Sequence, residues 1–177
     1  MILGMRKQEI QLAEYDPCWA EVFDQTKKEI VKETNLNQYQ IEHIGSTAIK
    51  GIPAKPIIDI LIGINSLRNG SEAVINQLKK ADFLKLKVER PDEIVLARFT
   101  DDTYEVKTHF IHLVELNAKK WKELIFFRDY LNEHRSDRER YAQLKQQILR
   151  EQTITIESYT DKKIDFIEDI LNKQKNR

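Results

Sequence analysis

Between Ile57 and Ile64 the side chains alternate with period two. Ile58, Ile60, Ile62 and Ile64 take one parity; Ile57, Asp59, Leu61 and Gly63 take the other. Such alternation predicts a β-strand over 56–64 with one wholly apolar face and a single acid, Asp59, on the opposite one. A shorter strand is expected at 39–44. Asp16-Pro17 reads as a helix start, with Asp as N-cap and Pro at the first helical position. The stripe Trp19, Val22, Phe23 and Ile30 carries that helix to about Thr34. Ser71 is expected to open a second helix, with Val74, Ile75, Leu78 and Ala81 turned inward. Strands are expected near 84–90, 94–100 and 104–115, with turns at Pro91-Asp92 and Asp101-Asp102. Beyond Asn117 the period becomes helical. One helix carries Trp121, Leu124, Ile125 and Leu131. A second opens on a capping box, Ser136 to Glu139, and carries Tyr141, Leu144 and Ile148. A last one over roughly 154–173 carries Ile156, Tyr159, Phe166, Ile167 and Ile170.

This order predicts an α+β fold, a mixed β-sheet with flanking helices and a helical C-terminal third. No Gly/Ser/Pro-rich hinge divides it, so 1–177 is expected to form one domain, with 1–116 as sheet core and 117–177 as helices packed on it. A chain of 177 residues buries roughly 70% of its unfolded surface and needs no covalent staple. Lys+Arg and Asp+Glu both number 29, and this balance argues against general nucleic-acid binding. Cys18 is the only cysteine, so neither a disulfide framework nor a thiolate zinc cluster is expected. No apolar run approaches a bilayer's thickness, and the expected location is the cytoplasm.

The candidate chemistry gathers around Asp59. Gly45-Ser46-Thr47 follows a strand, and small residues there let a backbone approach a phosphate while the hydroxyls donate to it. The same residues also suit a plain chain reversal. An acid in an isoleucine-rich strand is costly to bury unless it is paired or binds a metal. Its partner is therefore either a cation of the protein, Lys55 or an arginine, or a metal. His109 and His112 are three apart and point to opposite faces of a regular strand, so they form no two-histidine clip. His43 is a third candidate ligand or base. Arg128 and Lys163 fall inside apolar helical stripes and need anionic partners, from the protein or from a bound phosphate. Lys55 and Arg98 are further pocket candidates.

Read in order, several segments resemble the GrpB (UPF0157) family of the nucleotidyltransferase superfamily, which has the polymerase-β-like fold. They are Tyr15-Asp16-Pro17 with Trp19 and Phe23; His43-Ile44-Gly45-Ser46-Thr47-Ala48; Gly51; Ala54-Lys55-Pro56; and Ile58-Asp59-Ile60. Thr108-His109, Ile111-His112, Phe127 to Leu131, Tyr159, Lys163 and Phe166-Ile167 follow. The resemblance implies that Gly45, Ser46 and Thr47 hold phosphates and that Asp59 is the first of two acids binding Mg²⁺ or Mn²⁺. The second acid's position is Leu61, a departure from the pattern. A third acid is replaced by a segment offering Glu105, Thr108, His109 and His112. The implied protein binds a nucleotide or nucleotide-containing metabolite with a divalent metal. Asp59 and His112 would act in nucleotidyl transfer, His109 and His112 would be further metal ligands, and Lys55, Arg128 and Lys163 would lie on the phosphates. The alternative is a non-catalytic nucleotide- or phosphate-binding module with a degenerate metal site, which Leu61 favours. The opposite-facing histidines disfavour a histidine-liganded hydrolase.

Overall fold

A computed structural model describes residues 1–6, 9–88, 90–151 and 155–175. A short strand β1 (Met5–Arg6) precedes helix α1 (Cys18–Glu33), whose start is held by the Asp16 carboxylate accepting from the Cys18 amide at 2.9 Å. Strand β2 (Ile41–Ile44) begins later than expected because Gln38–Gln40 is wound into a 3-10 turn, closed reciprocally by Asn37 and Gln40. The isoleucine-rich strand is β3 (Ile58–Ile64). Helix α2 (Leu67–Leu78) opens at Ser66, not Ser71: the Ser66 hydroxyl accepts from the Asn69 amide at 3.3 Å, and Ser71 lies inside the helix. Strands β4 (Leu84–Lys85), β5 (Ile94–Phe99) and β6 (Val106–Glu115) follow, with β4 much shorter than the 84–90 expected.

Helices α3 (Lys119–Glu133) and α4 (Arg135–Leu149) are separated by His134 alone. The His134 carbonyl accepts from the Arg138 amide, so Ser136 lies within α4 and caps nothing. The expected last helix is two: α5 (Ile156–Asp161), capped by Thr155 and Ser158, and α6 (Ile164–Lys175). The expected start near 154 lies outside the described residues. None of the described helices is long and apolar enough to cross a membrane.

The strands form one mixed sheet in the order β2-β3-β6-β5-β4, with β1 beside the start of β6. Among the described strands only β3 and β6 run parallel. Register then assigns the faces. Ile58, Ile60, Ile62 and Ile64 share a face with Ile41, Leu96, Ile111 and Leu113, and this face is covered by Trp19, Phe23 and Ile30 of α1 with Ile75 and Leu78 of α2. Asp59, Leu61 and Gly63 occupy the other face. There Ile44, Leu61, Val114 and Trp121 of α3 make a second, smaller core. Gly63 leaves the room that Trp121 uses, since a methyl group there would meet the indole at 2.8 Å. A third cluster joins Ile49 and Ile52 to Tyr130, Leu131, Tyr141 and Ile170, and so clamps the C-terminal helices over the loop between β2 and β3.

Candidate functional site

That clamped loop opens with Gly45, immediately after the Ile44–Asp59 cross-strand pair. Gly45 has φ +70°, and a Cβ there would lie 2.2 Å from Asp59 Oδ2. The bend therefore lies directly against the carboxylate, which only glycine allows. Asp59 remains 29% exposed, so it borders an opening and is not sealed in. Ser46 turns toward α4, where its side chain meets the Tyr141 hydroxyl. Thr47 turns the other way. It is buried, its hydroxyl donates to the Ile57 carbonyl at 3.3 Å, and it bonds His43 Nε2 at 3.0 Å, so it ties the loop down and offers nothing to a ligand.

On the neighbouring strand His112 pairs with Leu61 on one side and Val95 on the other, which sets it on the Asp59 face, one diagonal step away. Its Nε2 lies 3.6 Å from Asp59 Oδ1, and its Nδ1 is hydrogen-bonded to Glu93, which is 1% exposed. Glu93 also takes Arg90 Nη1 at 2.6 Å and has Lys120 Nζ at 3.9 Å. Burial opposes charge on His112, but the Asp59 and Glu93 carboxylates outweigh it and hold the ring's pKa up to about 9. Burial likewise pushes Glu93 upward, and His112 and Arg90 pull it down to about 2. A ring with a carboxylate at each nitrogen is an imidazolium, the form in which both nitrogens donate.

Beside Asp59 the chain gathers ammonium groups. Lys55 Nζ and Lys163 Nζ stand 4.1 and 4.5 Å from the centroid of one ring, that of the buried Tyr159. Below them Lys145, 1% exposed, donates to the Pro53 carbonyl at 2.5 Å and lies 4.7 Å from the Tyr141 centroid. Among the described residues none of the three forms an ion pair with a carboxylate. Burial, reinforced by Lys163, brings Lys55 down to about 8 and Lys145 to about 7. Lys163 is lowered too, chiefly by burial, with Asp59 opposing. Faces of aromatic rings attract such cations but do not neutralise them.

The other expected residues lie elsewhere. Arg128 Nη1 donates to Glu42 at 2.6 Å and to the His43 carbonyl at 2.8 Å, and its Nε donates to Asp129 at 2.7 Å. It is a clamp between α3 and β2, with its charge already matched. His109 and His43 fall on the α1 face of the sheet. The first bonds Thr26 and Thr108; the second stacks on Phe23. Burial lowers both to about 4, which leaves them neutral at pH 7. Arg98 shares that face, bonded to Glu29 and the Ala81 carbonyl. Glu93, Tyr141 and Lys145 complete the site without having been singled out for it. Lys145 lies four residues after Tyr141, on the inward stripe, so helical spacing alone carried the signal.

The donor set about Asp59 does not fit a divalent cation. One carboxylate oxygen faces an imidazolium, the i+2 position is a core leucine, and two histidines are across the sheet. Among the described residues no group of three His, Cys, Asp or Glu side chains is placed to hold a metal ion. Mg²⁺ is held by one or two carboxylates together with water and phosphate oxygens, and here the one carboxylate at hand already faces His112.

The chain is similar in sequence and fold to known proteins. The family model described as GrpB protein matches residues 9–173. The Glutamate-rich protein GrpB of Alkalihalophilus pseudofirmus is 38% identical over 173 residues, covering 97% of this chain and 99% of that one. The UPF0157 protein YqkA of Bacillus subtilis is 31% identical over 91% of this chain, which spans 46% of that longer protein. The crystal structure of the conserved protein GrpB from Enterococcus faecalis superposes with a TM-score of 0.78 at 24% identity, over 92% of this chain and 96% of that one. The nucleotidyltransferase superfamily is consistent with the GrpB family. By the near-complete family match and the full-length likeness to a curated relative, the chain belongs to the GrpB family.

Proposed function

We propose that this GrpB protein binds a nucleotide or another phosphorylated small molecule at the bend between β2 and β3, as a binding module and not as a transferase. The observation that carries this reading is the pair of ammonium groups, Lys55 and Lys163, set on one tyrosine ring with no carboxylate partner among the described residues. Two partly buried cations held close together repel each other and are depressed in pKa. A phosphate group, with two or more negative charges, would relieve both. The bend at Gly45 lies directly against Asp59, whose carboxylate faces His112.

Leu61 favours binding without turnover. Phosphoryl and nucleotidyl chemistry relies on cations that neutralise charge on the transferring group, and paired acids hold those ions in place. Here the second acid's position is part of the core under Trp121. Titration calorimetry with ATP, CTP, GTP, UTP and inorganic triphosphate, run beside a pyrophosphate-release assay, tests the reading. Saturable binding that weakens in Lys55→Ala and Lys163→Ala, without pyrophosphate release, is the expected result. Release that disappears in Asp59→Asn would show an enzyme. Failure of every phosphate to bind would remove the site.

A further inference from the structure

We propose that the phosphate-bearing ligand is held without a divalent cation, its charge met by the Lys55 and Lys163 ammoniums while Asp59 stays engaged with His112. This rests on the phosphate-binding reading above and specifies how that site recognises its ligand.

Three independent features of the site converge on it. The first is the partner already at Asp59. His112 projects from the strand parallel to β3, and its two ring nitrogens each face a carboxylate, Asp59 on one side and the deeply buried Glu93 on the other. Glu93 is in turn held by Arg90 and Lys120, so the ring is fixed from behind. A metal ion brought to Asp59 Oδ1 would have to displace this ring, whose Nε2 lies 3.6 Å from that oxygen.

The second feature is the missing ligand. The side chain two residues along the strand, where a second carboxylate would bridge the metal, is Leu61. It carries no ligating atom and is packed against Ile44, Val114 and Trp121. The third is the positive charge gathered near Asp59. Lys55 and Lys163 have the Tyr159 face beneath them, and Lys145 adds a further buried ammonium nearby. A phosphate chain already complexed with Mg²⁺ would bring less charge to satisfy these groups than the free anion. The His112 ring thus occupies the place beside Asp59 that a metal would take, and the lysines meet the phosphate charge in its stead.

The two schemes make opposite demands on Asp59. With a metal, Asp59 is the anchor and its loss abolishes binding. Without one, Asp59 is a nearby negative charge and its loss leaves binding intact or tightens it. Titration calorimetry of the full chain with ATP and with inorganic triphosphate, in EDTA and in excess Mg²⁺, separates them. The expected affinity in EDTA equals or exceeds that in Mg²⁺. Lys55→Ala and Lys163→Ala each weaken it about tenfold or more, and Asp59→Asn binds as tightly as the wild type or more so. Circular dichroism on each variant checks that the fold is kept. Binding that requires Mg²⁺ and vanishes in Asp59→Asn overturns metal-free recognition and leaves the phosphate site standing. Absence of binding by both probes in both conditions, with the chain folded, overturns the phosphate site and this inference with it.

Discussion

At Gly45 two constraints meet: φ is +70°, and a Cβ would lie 2.2 Å from an Asp59 carboxylate oxygen. Gly45→Ala is therefore expected to destabilise the fold by about 1–3 kcal/mol, part from the left-handed backbone and part from the clash. Urea denaturation of Gly45→Ala, Asp59→Gly and the double variant separates the parts. The double variant should recover the steric share and keep the backbone share; simple additivity would show that the two residues do not touch. The His112–Glu93 pair is the other residue-scale feature. His112 has its pKa raised from 6.5 to about 9, so its contribution is complete below about pH 6.5 and fades as pH rises through about 9. Glu93 has its pKa lowered from 4.5 to about 2, so its contribution is complete above about pH 4.5 and is lost as pH falls through about 2. His112→Ala leaves the Glu93 carboxylate short of a buried partner and should cost about 3 kcal/mol at pH 6. The deficit relative to wild type should shrink by pH 9; a deficit independent of pH would assign it to lost packing alone.

At the scale of elements, α4 shows how a helix can carry both core and chemistry on one stripe. Asp137, Tyr141, Lys145 and Ile148 are its buried positions, and Lys145 reaches the Pro53 carbonyl in the loop that bears Lys55. Its pKa falls from 10.5 to about 7, so between those values the unfolded chain binds more protons than the folded one and this group's share of stability rises with pH. Lys145→Met should abolish that rise. Denaturation midpoints for wild type and variant at pH 6.5 and 9.5 are expected to draw apart less favourably for Lys145→Met at the higher pH; parallel curves would mean that Lys145 stays charged throughout. The strands and helices were legible wherever apolar spacing was strong, as in β3, α1 and α3. Caps were read less well. Ser71 and Ser136 looked like helix starts, yet Ser66 and the short link at His134 lay closer to where packing begins each helix.

For the whole molecule, what sequence could not supply was which face each polar side chain joins. Asp59 and the bend at Gly45 were legible together because a strand and its preceding turn are adjacent in the chain. Arg128 and Lys163 each read as a cation in an apolar stripe, with Arg128 the stronger phosphate candidate; the tertiary arrangement instead gives Arg128 two carboxylates and leaves Lys163 on a tyrosine ring. His109 and His112 divided as strand geometry requires, but the partner that holds His112, Glu93, lies between the turn read at Pro91-Asp92 and the strand read from 94. This division of charge across the sheet has a consequence for ligand binding. The α1 face holds neutral histidines, whereas the Asp59 face holds lysines whose pKa values of about 7 and 8 leave them incompletely protonated near neutrality. A bound phosphate stabilises their charged forms and raises those values, so binding should draw protons from solution. Calorimetric titration of inorganic triphosphate at pH 8, in two buffers of different ionisation enthalpy, should report net proton uptake by the protein after correction for the ligand's own titration. Lys145→Met should reduce it. Zero uptake would mean that the lysines are already fully charged in the free protein, and proton release would assign the ligand's charge to groups other than these.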